Sequence, residues 1–234
     1  MSDWAAKRFW TDVSVVEDGD GFGIRLDGRS VKTPAKSALI VPRREMAEAV
    51  AAEWDVVEEK IDPEVMPFTR SANAAIDKVS VQFDAVAEML AAYGGSDLLC
   101  YRADAPTELV ERQNAGWNPL LAWAEDTFGA RLLLTAGIMP IEQDSQALAA
   151  IRAPLFAATA FELTALHDLI ALSGSLVLGL AVTQRQLSGQ AAWDLSRLDE
   201  NWQIEQWGED EDASQAVEIK RSAFIHAEKF YRMA

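Results

Sequence analysis

Cysteine occurs once in the 234 residues, at Cys100, and histidine twice, at His167 and His226. One thiol forms no internal disulfide, and this ligand set gives no plausible zinc site. The lack of disulfides agrees with a reducing compartment. Basic residues are scarce too: 21 Lys and Arg stand against 37 Asp and Glu, a net charge of −16. Such a chain is repelled by phosphate backbones and by anionic headgroups, so neither nucleic acid nor a membrane surface is an expected partner. Long apolar runs are missing. The longest, 169–182, contains Ser173 and Ser175 and falls short of the roughly 20 residues that span a bilayer, so no membrane insertion is expected. The first ten residues hold no apolar signal core and lack the Arg-rich character of a transit peptide. The expected location is therefore the bacterial cytoplasm, or the mitochondrial matrix for a processed eukaryotic form.

The common catalytic templates are absent as well. There is no GxxxxGK[ST] phosphate loop and no GxSxG nucleophile elbow. Gly174 and Gly179 lie in an apolar stretch and read as places where helices approach closely. His167, between Leu166 and Asp168, reads as a satisfied core or boundary histidine. Cys100 lies among Leu98, Leu99 and Tyr101 and reads as a small buried hydrophobe, since a nucleophilic thiol needs a more electropositive setting than Arg102 alone provides. No metal and no cofactor are expected.

Half of the residues are hydrophobic, with eight Trp and nine Phe. That is enough apolar surface for a substantial core. Residues 13–16, 22–26, 30–33 and 38–41 read as short strands, and Asp27-Gly28 is a hairpin turn signal. From Pro42 the period changes. Met46, Val50 and Trp54 recur every four residues, which predicts a helix over 42–59. Pro63 and Pro67 mark an extended connector over 61–69. Further helices are expected over 79–93, from Pro106 to Phe128, and over 143–158, 162–173, 176–187, 189–207 and 211–232. Short strands are expected at 97–101 and 131–135. The fold class is α+β: a β-rich N-terminal domain with one helix, 1–66, then a mainly α-helical domain, 67–234.

The segment 193–212 is the most distinctive. Between Asp199 and Asp212 stand seven acids, no Lys or Arg, and two tryptophans, Trp202 and Trp207. At about 100° per residue, Leu195, Leu198 and Trp202 share one helix face. Trp193, Ile204 and Trp207 share another, with Glu200 in its middle. Three readings of Glu200 are open. It can pair with Arg197, three residues earlier. It can recognise a partner, together with Asp199 and the aromatic anchors around it. Or it can act as a general acid in a cleft, as in a small hydrolase or ligand-binding protein.

Several segments together resemble one family. They are Asp27-Gly28-Arg29 with 32–36; Glu53-Trp54; Met66-Pro67 with 74–77; Asp97 through Ala103; Arg112-Gln113; Trp117 through Trp123; Gly174-Ser175 with 178–181; and Asp199-Glu200-Asn201-Trp202-Gln203 with Trp207-Gly208. In that order, over nearly the whole chain, they are similar to the ATP synthase assembly chaperones of the "Atp-twelve" type. The resemblance implies a non-enzymatic monomer that binds the unassembled alpha subunit, shields its beta-facing surface and hands it over during assembly. It also implies that the acid at position 200 matters for function. Asn118 stands where an acid is expected in this family, and Ser71 where an apolar residue is.

Overall fold

The structure, a computed structural model, describes residues 7–137, 139–208 and 211–234. It is α+β, with the longer strands first and mostly helices after them. The chain forms two units: Met1–Phe83 with Thr159–Ala165 and Lys229–Ala234, and Asp84–Ala158 with Leu166–Glu228.

In the first unit β1 (Val13–Asp18) and β2 (Gly21–Leu26) form an antiparallel hairpin, in register from Val13↔Leu26 to Asp18↔Gly21. The next turn is the expected one. Asp27 and Gly28 both take positive φ, 47° and 78°, as a two-residue hairpin turn matching the strand twist requires. Asp27 is held there because its carboxylate accepts from the backbone N–H groups of Thr11 and Asp12. Those bonds keep its carboxyl below the ordinary range. β3 (Arg29–Ser30) pairs with one end of β2 and β4 (Ile40–Val41) with the other. Both are shorter than expected, and a single bridge, Lys32↔Ala38, joins the residues between them. α1 (Arg44–Asp55) buries Met46, Ala47 and Val50. The core continues through Trp10, Ile24, Leu39, Val41 and Met66, with Ala165 and Phe230 from the two returning segments.

The extended connector expected over 61–69 is replaced by helical structure. A 3-10 turn, Pro63–Val65, is capped by Asp62, and α2 (Pro67–Ala74) starts directly after it. Proline suits a first helical position, because that N–H has no intrahelical acceptor anyway. The next two N–H groups are served from α1. The Glu53 carboxylate accepts from Phe68 N (2.7 Å), Thr69 N (2.8 Å) and Thr69 Oγ1 (2.7 Å). Burial pushes the Glu53 carboxyl up in spite of these bonds. A π turn, Ala75–Val79, follows α2. Its Asp77 accepts from Thr33 Oγ1 (2.6 Å) and Ala35 N (3.0 Å). Since α2 packs on α1, residues 67–83 stay with the first unit, and the boundary drawn at 66/67 does not coincide with the division of the structure.

In the second unit α3 (Phe83–Ala91) runs into a 3-10 turn, Ala92–Ser96. A second such turn, Leu98–Cys100, leads to β5 (Tyr101–Arg102), which pairs in parallel with β6 (Thr135–Ala136). The strands expected at 97–101 and 131–135 thus survive only at their ends. The remaining elements are α4 (Thr107–Phe128), α5 (Ser145–Ala157), α6 (Ala160–Ser173), α7 (Leu176–Thr183), α8 (Gly189–Ser196), α9 (Leu198–Trp207) and α10 (Glu211–Met233), of which the start of α6, to Ala165, and the end of α10, from Lys229, belong to the first unit. α7 is buried at every position. A Cβ on Gly179 would lie 2.6 Å from Ile170 Cγ1, so the small residue permits the close approach anticipated from the sequence.

A helix buried along its whole length has no water to satisfy its first N–H groups. Ser175 Oγ accepts from Leu178 N (3.0 Å), and Asp97 accepts from Val177 N (3.0 Å), Ser175 Oγ (2.7 Å) and Leu99 N (3.0 Å). Asp97 has no exposed surface, and burial raises its carboxyl above the ordinary value. In Asp97→Asn, an amide nitrogen must face one of these donors, so a loss of about 1–3 kcal/mol in urea unfolding is expected in mild acid. The folded-state value is raised, so the wild-type contribution is complete below the unfolded value of 3.8 and declines as pH rises through the folded one. Asparagine does not titrate. The gap between the two proteins therefore narrows from acid toward neutral pH, and a constant gap would show that Asp97 titrates normally.

Candidate functional site

The single helix expected over 189–207 is two helices. α8 ends at Ser196, Arg197 leaves helical geometry (φ −105°, ψ 14°), and α9 restarts at Leu198. A projection of 100° per residue holds only within one unbroken helix, so Trp193 does not share a face with Glu200, Ile204 and Trp207. It is 4% exposed and packs on Phe224, with ring centroids 5.6 Å apart. Trp193 is thus corrected from an outward aromatic to a core residue.

α9 contains no buried residue. Glu200, Gln203, Ile204 and Trp207 stand at i, i+3, i+4 and i+7, which places them on one face. Ile204 is 38% exposed and Trp207 79%. The Glu200 carboxylate, half-exposed, accepts from Arg197 Nη1 at 2.7 Å. This is the local ion pair that the spacing allowed, and an acid in the first turn also suits the helix dipole.

Asp199 points to a different task. It accepts from Gln113 Nε2 (2.7 Å), and Gln113 Oε1 accepts from Ala103 N (2.9 Å). The carboxylate thereby ties α9 to α4. Arg112 extends the seam. It pairs with Glu205 at 2.8 Å and lies over the Trp202 ring at 4.6 Å. This ion pair holds the Glu205 carboxyl below its ordinary range. Leu195 and Leu198 fill the space above Gly116, where a Cβ would come within 2.9 Å of Leu195 Cδ2. Trp117 Nε1 donates to the Leu195 carbonyl at 2.9 Å. The Leu195–Leu198–Trp202 face is therefore the inward one. The roles of Arg112 and Gln113 were not readable beforehand, because their partners lie 93 and 86 residues away along the chain.

Arg102, buried beside this seam, donates from Nε to the Leu99 carbonyl (2.8 Å), from Nη1 to Asn114 Oδ1 (3.2 Å) and from Nη2 to Asn118 Oδ1 (2.9 Å). Its guanidinium also lies over the Trp117 ring. Asn118, in place of the expected acid, meets this cation with an amide oxygen. His167 Nδ1 bonds Asp168 Oδ1 at 2.9 Å, which holds the imidazole above its usual range. Among the described residues no group of three or more His, Cys, Asp and Glu is placed to hold a metal ion, and no helix is long and apolar enough to cross a membrane. Glu209 and Asp210 of the acidic run, and the first six residues, lie outside the described residues.

Comparison with known proteins gives the family and the fold. The family model for the ATP12 chaperone protein matches residues 7–125. Atp12 from Paracoccus denitrificans has the same fold, with a TM-score of 0.94 and 47% identity, covering 97% of this chain and 98% of that one. An Asp-to-Lys mutant of P. denitrificans Atp12p matches at a TM-score of 0.95 and 46% identity, covering 97% of each chain. "Protein atp12, mitochondrial" of Schizosaccharomyces pombe is 26% identical over 220 residues, 88% of this chain and 75% of that protein. The chain belongs to the ATP12 chaperone protein family.

Cys100 allows a direct check of the second unit. Burial, with the nearby Asp97 charge, pushes its thiol up to about 12. At pH 8 about one part in ten thousand is then thiolate. A disulfide reagent at pH 8 is expected to leave the native protein unlabelled and to titrate one thiol in denaturant. Rapid labelling of the native protein would show that Cys100 is accessible.

Proposed function

We propose that this protein is an assembly chaperone of ATP synthase, and that it binds the unassembled alpha subunit through the outer face of α9. The observation that carries this reading is a helix with no buried position, fixed to α4 along one side and offering Ile204 and Trp207 beside Glu200 on the other. Family membership gives the chaperone role. The exposed aromatic and aliphatic pair gives an apolar anchor of the kind that dominates binding interfaces. A carboxylate beside it, on a chain of net charge −16, favours a partner that brings basic groups.

The physical need is plain. A subunit that will later be buried in a hexamer exposes a large apolar surface beforehand, and such surfaces aggregate. A monomeric chaperone covers that surface by mass action and yields to the true neighbour when it arrives. It works in the compartment where the subunit is made or imported, the bacterial cytoplasm or the mitochondrial matrix. This requires no catalytic step. Glu200 is partnered by a residue three positions away, and no second titratable group is seen facing it among the described contacts, so the general-acid reading gains nothing from the geometry. Asp199 supports the site from behind by holding the helix, and Trp193 supports it only as part of the core.

The test is co-expression with alpha subunit, followed by the soluble fraction and co-purification. Glu200→Lys is expected to reduce capture severely with its thermal midpoint close to wild type. Trp207→Ala is expected to weaken binding at least about tenfold, as loss of a central aromatic anchor does. Folded variants that capture alpha subunit as well as wild type would remove α9 as the docking element. A folded wild-type chain that never retains alpha subunit would overturn the reading as a whole.

A further inference from the structure

The binding face of α9 is already half engaged, by its own chain. Arg197 sits at the break between α8 and α9, and its Nη1 holds Glu200 at 2.7 Å. The arginine is set back, with 23% of its side chain exposed, while the Glu200 side chain reaches further out, at 44%. Arg197 Nε is buried without a hydrogen-bond partner among the described residues, so within them the guanidinium does not fill its donor capacity. Glu200 to Trp207 is seven residues of helix, about 10 Å. The face therefore offers a carboxylate at one end and an aromatic at the other.

We infer that Arg197 is an intramolecular stand-in for a partner cation: when Ile204 and Trp207 enter an apolar recess on the bound subunit, Glu200 exchanges Arg197 for a basic side chain of that subunit, about 10 Å from the recess. This deepens the proposed function and rests on it. A carboxylate taken into an interface needs an opposite charge, or its desolvation works against binding. In the free protein Arg197 meets that need and keeps the face from presenting a bare acid next to exposed apolar groups. On docking, the more exposed Glu200 is met first, and the recessed arginine competes for it. The complement is thus a groove with a lysine or arginine at one end, in the manner of a helix laid into a groove.

Binding of purified alpha subunit to the full chain, measured by titration for wild type, Arg197→Gln, Arg197→Lys, Glu200→Gln and the Arg197→Gln/Glu200→Gln double variant, tests this. Freed of its competitor, Glu200 should bind the partner cation better, so Arg197→Gln is expected to tighten binding about two- to fivefold, the range set by a partly exposed ion pair. Glu200→Gln should weaken it, and the double variant should match Glu200→Gln alone, because Arg197 acts only through Glu200. Arg197→Lys, which keeps the charge but not the fork, should fall between wild type and Arg197→Gln and covers the case in which glutamine disturbs the helix break. Tightening should fade with rising salt. Weaker or unchanged binding by both Arg197 variants, with Glu200→Gln still impaired, overturns the stand-in and leaves the proposed function intact. A wild-type chain that does not bind alpha subunit removes both.

Discussion

The first N–H groups of α7 have to be satisfied without water, and much of the second unit is arranged around that constraint. All eight residues of the helix are buried, so an unmet donor there would cost about as much as several good contacts return. Asp97 and Ser175 meet the need from two places far apart in the chain. In doing so they fix the 3-10 turn before β5 and the start of α7 relative to each other. The turn in turn places Tyr101 and Arg102, and Arg102 with Ala103 meets α4 through Asn114, Asn118 and Gln113. From Gln113 the chain of bonds passes to Asp199 on α9. A buried carboxylate is thereby linked, step by step, to the orientation of the exposed helix.

That linkage explains why α9 is not a loose arm. A helix of ten residues with no buried side chain would be marginal alone, since isolated helices of this length are unstable in water. It is held on one side by a hydrogen-bonded carboxylate, an ion pair, a cation over an aromatic ring and two leucines above a glycine. Each is modest. Together they settle which side faces out. On the exposed side Ile204 and Trp207 take no part in that packing and stay open to solvent.

The residues through which the family resemblance was visible prove to be largely scaffold. Glu53 caps α2, Asp77 clamps the turn at Thr33 and Ala35, Asp97 caps α7, and Gln113 bridges α4 to α9. Each is a polar group that serves backbone donors or a second polar side chain at a point where elements meet. Glu200 is different. Its one described bond, to Arg197, is local, and its neighbours on the same face are exposed. The distinction between an acid that builds and an acid that presents is made by burial and by partners, neither of which a motif contains.

The sequence by itself determined what depends on near neighbours. The Asp27-Gly28 turn, the helical period after Pro42, the α+β order and the spacing that allows a Glu200–Arg197 pair all follow from residues a few positions apart, and local backbone sterics and helix geometry suffice to read them. Tertiary structure decided the rest. Whether 61–69 runs extended or helical depended on a carboxylate from α1. Whether 189–207 is one helix or two depended on how Arg197 could seat both Trp193 in the core and Asp199 on Gln113. A periodic pattern states which residues would share a face if the helix is unbroken. Only packing against distant partners determines whether it breaks, and therefore that Trp193 turns inward while Trp207 remains outside.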